Sequence, residues 1–81
     1  MLKAVKNLVD GFTHQGNHTA SHEGNVSKFY YFGNLVCYAD HVKKEFKLDS
    51  CGHTNSPSTT RTLNDYGRLF TEDGYTLLSR E

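Results

Sequence analysis

Five residues, Lys28-Phe29-Tyr30-Tyr31-Phe32, meet Leu35-Val36-Cys37-Tyr38-Ala39 across only Gly33-Asn34. Two β-prone runs separated by two turn residues predict a tight antiparallel hairpin, with glycine supplying the positive φ that a type II′ turn needs at its first central position. The first arm has four consecutive aromatics, so both of its faces are apolar. One must meet the core, and the other is either covered by a helix or offered to a partner.

The segment Lys44-Glu45-Phe46-Lys47-Leu48-Asp49 alternates strictly and predicts a third antiparallel strand after a short turn at Asp40-His41. If that turn keeps parity, Tyr30, Phe32, Leu35, Cys37, Phe46 and Leu48 share the core face. Phe29, Tyr31, Val36 and Tyr38 then share the less buried face with Glu45 and Lys47. A turn longer or shorter by one residue reverses the assignment.

Upstream, Leu2, Val5, Leu8, Val9 and Phe12 recur at helical spacing, and Gly11 provides a stop, although Val5, Leu8 and Val9 equally suit a short strand. Residues 13–25 contain no large apolar side chain and read as a polar, mobile loop bearing His14, His18 and His22. Downstream, Ser56 or Ser58 caps a helix with Pro57 in its first turn. Leu63, Tyr66 and Phe70 form its buried stripe, Arg61, Asp65, Arg68 and Glu72 its solvent face, and Asp73-Gly74 its end. Tyr75-Thr76-Leu77-Leu78 returns as a last strand or packed tail. The expected fold is α+β, a three- or four-stranded antiparallel meander packed by one or two helices in a single domain spanning residues 1–81.

With 81 residues, the chain buries only ~60–65% of the surface its unfolded form exposes, which leaves little room for a deep pocket. Nine Lys and Arg balance nine Asp and Glu, so the basic excess that drives tight phosphate binding is missing. The N-terminal run 1–10 places lysines inside a short apolar pattern and reads as neither signal peptide nor membrane span. Two cysteines without a secretory signal fit a reducing compartment, and the expected location is cytoplasmic.

The aromatic hairpin, the third strand and the Ser/Thr-rich turn that opens a helix with Thr59-Thr60-Arg61 before Leu63 resemble small uncharacterised proteins encoded by tailed bacteriophages. The resemblance spans roughly residues 26 to 77. It implies a viral accessory protein of the host cytoplasm that binds host or phage macromolecules, for example as an inhibitor of a defence-system component, and it carries over no catalytic residues. Cys51-Gly52-His53 and the histidine-bearing segment stand outside its pattern.

Several constellations can be weighed on chemistry alone. Cys37, His41, Cys51 and His53 offer the donor types of a structural zinc, but in a meander the two thiols fall roughly 17 Å apart, so no metal or other cofactor is expected. His14, His18 and His22 would share one face only on a helix, which Gly16 and Gly24 disfavour. They read as solvated side chains. Cys51 with His53 is the nearest approach to a nucleophile and base, and it has no orienting third group, so the chain is not read as an enzyme.

Two binding classes are left. For a protein partner, Phe29, Tyr31, Tyr38, Lys47, Arg61 and Arg68 are the candidate contacts, since aromatic and arginine side chains dominate interface energetics. For nucleic acid, Lys28, Lys43 and Lys44 would neutralise phosphates beside stacking aromatics, and Ser58, Thr59, Thr60 and Arg61 would meet phosphate at the helix start. The plainer readings are a core role for the aromatics and an N-cap for the Ser/Thr cluster. Free sheet edges make homo-oligomerisation plausible, and no membrane partner is expected.

Overall fold

The computed structural model describes residues 2–53 and 55–81, with the side chain of Leu2 outside the described set. In chain order the elements are α1 (Leu2–Val9), β1 (His14–Gln15), β2 (His18–Glu23), β3 (Val26–Tyr31), β4 (Asn34–Asp40), β5 (Glu45–Leu48), α2 (Pro57–Glu72) and β6 (Thr76–Arg80). The fold is α+β, as expected, but its one sheet has six strands in sequential order. β1 to β5 pair antiparallel, and α2 carries the chain over so that β6 joins β5 in parallel. A parallel neighbour cannot be reached by a tight turn, and a crossover helix supplies the connection.

Residues 13–25, read as a loop, instead form β1, all of β2 and two tight turns. The turns are Gly16-Asn17 and Gly24-Asn25. Gly16 (φ +62°) and Gly24 (φ +57°) take the positive φ at the first central position, and the flanking pairs Gln15↔His18 and Glu23↔Val26 close each hairpin. Polar strands are stable here because the neighbouring strand satisfies their backbone groups. The apolar payload comes from the two helices and from β3 to β5.

The aromatic hairpin is present with a different register. Its turn is Phe32-Gly33, both at positive φ (+49° and +79°) as a type I′ turn requires, and Tyr31 pairs with Asn34. The pairing then slips between Phe29↔Cys37 and Tyr30↔Leu35, leaving Val36 as a bulged extra residue. An odd offset transfers a strand's side chains to the opposite face. Phe29 is therefore fully buried and Tyr31 is 9% exposed, against the expectation that they were surplus, while Tyr30 and Leu35 point away from the helices. Phe32, expected in the core, is 64% exposed at the turn, and Val36, expected on the less buried face, is 1% exposed. Cys37, Phe46 and Leu48 occupy the core as predicted.

Both helices pack on one face of the sheet and touch each other. Val5 and Leu8 of α1 and Leu63, Tyr66 and Phe70 of α2 meet Phe29, Phe46 and Leu48 in a single apolar cluster. Phe70 is its hub, with ring centroids 5.7 Å from Phe29, 5.4 Å from Phe46 and 5.0 Å from Tyr75. Phe12, at the foot of α1, is 56% exposed and falls outside the predicted helical stripe. α2 starts as predicted, with the Ser56 hydroxyl accepting from the Thr59 amide at 3.3 Å and Pro57 in the first turn. No helix among the described residues is long and apolar enough to cross a membrane.

Candidate functional site

With α1 and α2 both on one side, the opposite face of the sheet is covered by no helix or strand among the described residues. Strand alternation and pairing place its side chains in three rows across the strands. The central row reads Ser21, Lys28, Tyr38, Lys47 and Ser79. On one side lie Thr19, Tyr30 and Leu35, and on the other Glu23, Val26, Asp40, Glu45 and Thr76. The face is thus banded into an apolar row, a lysine and tyrosine row and an acidic row. Ser21, Glu23, Val26, Lys28, Tyr30 and Tyr38 together line a shallow depression of about 430 Å³. Tyr30 and Tyr38 are half-buried along its wall, and Lys28 is exposed.

The acidic row is shaped by local backbone chemistry. Asp40 accepts from the amides of Val42 and Lys43, both at 3.0 Å, which fixes the β4–β5 turn. The Lys43 amide is the main reason the Asp40 carboxyl is held below its ordinary range; desolvation opposes it as the next-largest influence, and the Val42 amide and the charges of Lys43 and His41 add to the lowering. Asp40 therefore stays ionised at the end of the face.

The residues proposed from sequence scatter over the molecule. Tyr38, Lys28 and Lys47 come together on the open face, Tyr38 between the two lysines. Phe29 is fully buried, and Tyr31 is 9% exposed, in the core but at the wall of a small cavity beside Phe32. Arg61 and Arg68 are exposed on the outer side of α2, where Arg68 pairs with Glu72 at 3.2 Å, and they do not join the sheet residues. Lys43 and Lys44 sit in the β4–β5 turn, the Lys44 ammonium 5.2 Å from the centre of the Tyr75 ring. Tyr30, Leu35 and Val26 were missed as site residues, because the bulge at Val36 that turns Tyr30 and Leu35 outward has no signal in the sequence.

At the α2 start, the Ser56 side chain occupies the Thr59 amide and its carbonyl the Thr60 amide, so capping uses the groups a phosphate would need. Ser58 and Thr60 are half-buried, Thr59 is buried, and Ser58 and Thr59 line a cavity of about 200 Å³ with Phe32 and His53.

The three upstream histidines are not equivalent. His14 is exposed on β1, whereas His18 is 7% exposed and stacks on Tyr31 with centroids 4.7 Å apart. Burial is the main cause lowering its pKa, partly opposed by Asp65, which keeps the ring neutral. His22 bonds to Ser27 within the sheet. Cys51 donates its thiol to the Leu35 carbonyl at 3.0 Å, and burial and then Asp49 raise its pKa. Burial likewise pushes the Cys37 thiol far above its usual range, so both sulfurs are held as thiols rather than nucleophilic thiolates. Among the described residues no three of His, Cys, Asp and Glu lie together in a way that could hold a metal ion.

The fold and site define a two-layer α+β protein with one helix-covered and one uncovered sheet face. Comparison with protein-family models, curated proteins and solved structures finds no match.

Proposed function

We propose that this chain is a non-catalytic binding protein that docks a partner protein on the uncovered sheet face, through Tyr30, Leu35, Tyr38, Lys28 and Lys47. The observation that carries the reading is the placement of two tyrosines and a leucine beside two lysines on the only sheet face that neither helix covers. Tyrosine supplies large contact area at low entropic cost, and a rim of charges of both signs gives a partner register and orientation. The three carboxylates Glu23, Asp40 and Glu45 outnumber the two lysines on this face, which favours a protein over a nucleic-acid backbone. The accessory role of phage-encoded proteins, binding and modulating a host macromolecule, is the biological setting that the resemblance implies for such a surface.

The test is affinity capture from bacterial host lysate with the intact chain and with Tyr38→Ala, Lys47→Glu and Arg61→Ala, each checked for an unchanged melting temperature. A stoichiometric protein retained by the wild type and by Arg61→Ala, but lost from Tyr38→Ala and Lys47→Glu, supports the reading. Retention by both sheet variants would sink it. A mobility shift with single-stranded nucleic acid that weakens steeply with salt would move the assignment to the nucleic-acid class.

A further inference from the structure

On the helix-covered side of the sheet, four polar side chains from four parts of the chain form one continuous chain of hydrogen bonds. His22 Nε2 lies 3.1 Å from the Phe12 carbonyl oxygen, His22 Nδ1 2.8 Å from Ser27 Oγ, Ser27 Oγ 2.6 Å from His41 Nε2, and His41 Nδ1 2.6 Å from the Tyr75 hydroxyl. Ser27, at the centre, is 2% exposed, and His22 is open to solvent at one end. We infer that His22, Ser27, His41 and Tyr75 form a proton-binding relay that takes up one proton between its two imidazoles and resists a second.

The direction of the relay follows from its first member. A carbonyl oxygen can only accept, so His22 carries its proton on Nε2 and presents a bare Nδ1. That nitrogen accepts the Ser27 hydroxyl proton. Ser27 Oγ then accepts from His41 Nε2–H, which leaves His41 Nδ1 bare to accept from Tyr75. In the neutral state every link is satisfied in one arrangement only, with both imidazoles protonated on Nε2.

One added proton costs no hydrogen bond. Placed on His41 Nδ1, it is donated to the Tyr75 oxygen once the phenol hydrogen rotates away. Placed on His22 Nδ1, it is donated to Ser27 Oγ, the Ser27 hydroxyl turns to donate to His41 Nε2, and His41 carries its own proton on Nδ1 instead, where it donates to the Tyr75 oxygen. A second proton breaks the pattern: both imidazolium rings donate to Ser27 Oγ, the serine proton has no acceptor left in the chain, and two positive rings flank one atom.

The surrounding charges do not decide the outcome, because they come in both signs. Asp40 interacts with His41 and Lys43, Lys44 stands over the Tyr75 ring, and Asp73 and Asp40 act on the Tyr75 hydroxyl. His22 faces the Phe12 carbonyl from the α1 side and the Phe29 ring, nearly perpendicular to its own, from β3. Because the relay ties the end of α1, β2, β3, the β4–β5 turn and the α2–β6 connection, its protonation state is felt by the whole helix-side layer.

The test is side-chain nitrogen NMR of the histidines in the intact chain across pH, using long-range proton–nitrogen correlations that report which nitrogen is protonated. Above their titration, His22 and His41 are both expected with the proton on Nε2. On acidification the pair is expected to protonate in two steps separated by about one pH unit or more. Ser27→Ala removes the link and narrows that gap. Tyr75→Phe keeps the ring packing and both Nε2 tautomers, but moves the first step to lower pH because the added proton loses its acceptor. Finding Nδ1–H on either neutral ring, or the same gap in Ser27→Ala as in the wild type, would overturn the relay. If Ser27→Ala fails to fold, an unchanged first step in Tyr75→Phe overturns it instead.

Discussion

Tyr66 is fully buried in the middle of α2, its ring 4.8 Å from Phe29, yet its hydroxyl has no hydrogen-bond partner among the described residues. Burial, with Cys37 adding, drives its pKa far above the usual tyrosine value, which expresses the same lack of solvation. Replacing Tyr66 by Phe keeps the ring and its packing and removes only the stranded oxygen. A buried, unsatisfied hydroxyl costs about 1–3 kcal/mol. The void left by one oxygen returns a few tenths of that, at about 24 cal/mol per Å³ of cavity. The expected net effect is a stabilisation of about 0.5–2 kcal/mol, an unusual sign for a core substitution. In urea unfolding followed by far-ultraviolet circular dichroism, with a slope near 1 kcal/mol per M for a chain this small, the midpoint should rise by about 0.5–2 M. A loss of about 1 kcal/mol or more would refute the reasoning, since it would mean that the hydroxyl makes a bond whose worth exceeds its desolvation.

Three further outcomes follow from the same physics. His18 is held neutral by burial, so its folded pKa lies below the ordinary histidine value of about 6.5. As pH falls through 6.5 the unfolded chain takes up a proton that the folded chain refuses. Stability should therefore decline from there down to the lowered folded pKa, and His18→Phe, which keeps the stack on Tyr31, should reduce that slope in denaturant midpoints measured from pH 7.5 to 5. Phe32 holds φ +49° at an exposed turn position where a side chain other than Asn or Gly is strained, so Phe32→Asn should raise stability by a few tenths to about 1 kcal/mol in thermal melts. Gly67 lies inside α2, where an added Cβ would stand 3.5 Å from Leu48 Cδ1, an ordinary contact, so Gly67→Ala should stabilise by about 0.5–1 kcal/mol, read from the urea midpoint. A loss of stability in either variant would mean that the local geometry is more crowded than described.

Much of the architecture was legible where the signal is local. Periodicity located α1 and α2, the cap at Ser56 and the stop at Asp73-Gly74 marked the ends of α2, and alternation located β5. Two hairpins were overlooked in residues 13–25, although Gly16-Asn17 and Gly24-Asn25 repeat the dipeptide seen at Gly33-Asn34. The weight given to missing apolar residues hid that turn signal, because polar strands owe their stability to neighbours that a local window does not contain. Of the candidate contacts, Tyr38 and Lys47, named for a protein partner, and Lys28, named for nucleic acid, share a face. Phe29 and Tyr31 were assigned to the wrong one.

By itself the sequence determined that the segment after Ser56 is helical, that an aromatic hairpin lies at the centre, and that charge is balanced, since these depend on composition and on neighbours within a few residues. Tertiary structure alone decided which aromatics are buried, which side of the sheet stays open, and that His22, Ser27, His41 and Tyr75 meet. The reason is parity. A turn displaced by one residue and one bulge at Val36 change the pairing by an odd number, and in a strand of period two an odd step exchanges core for surface.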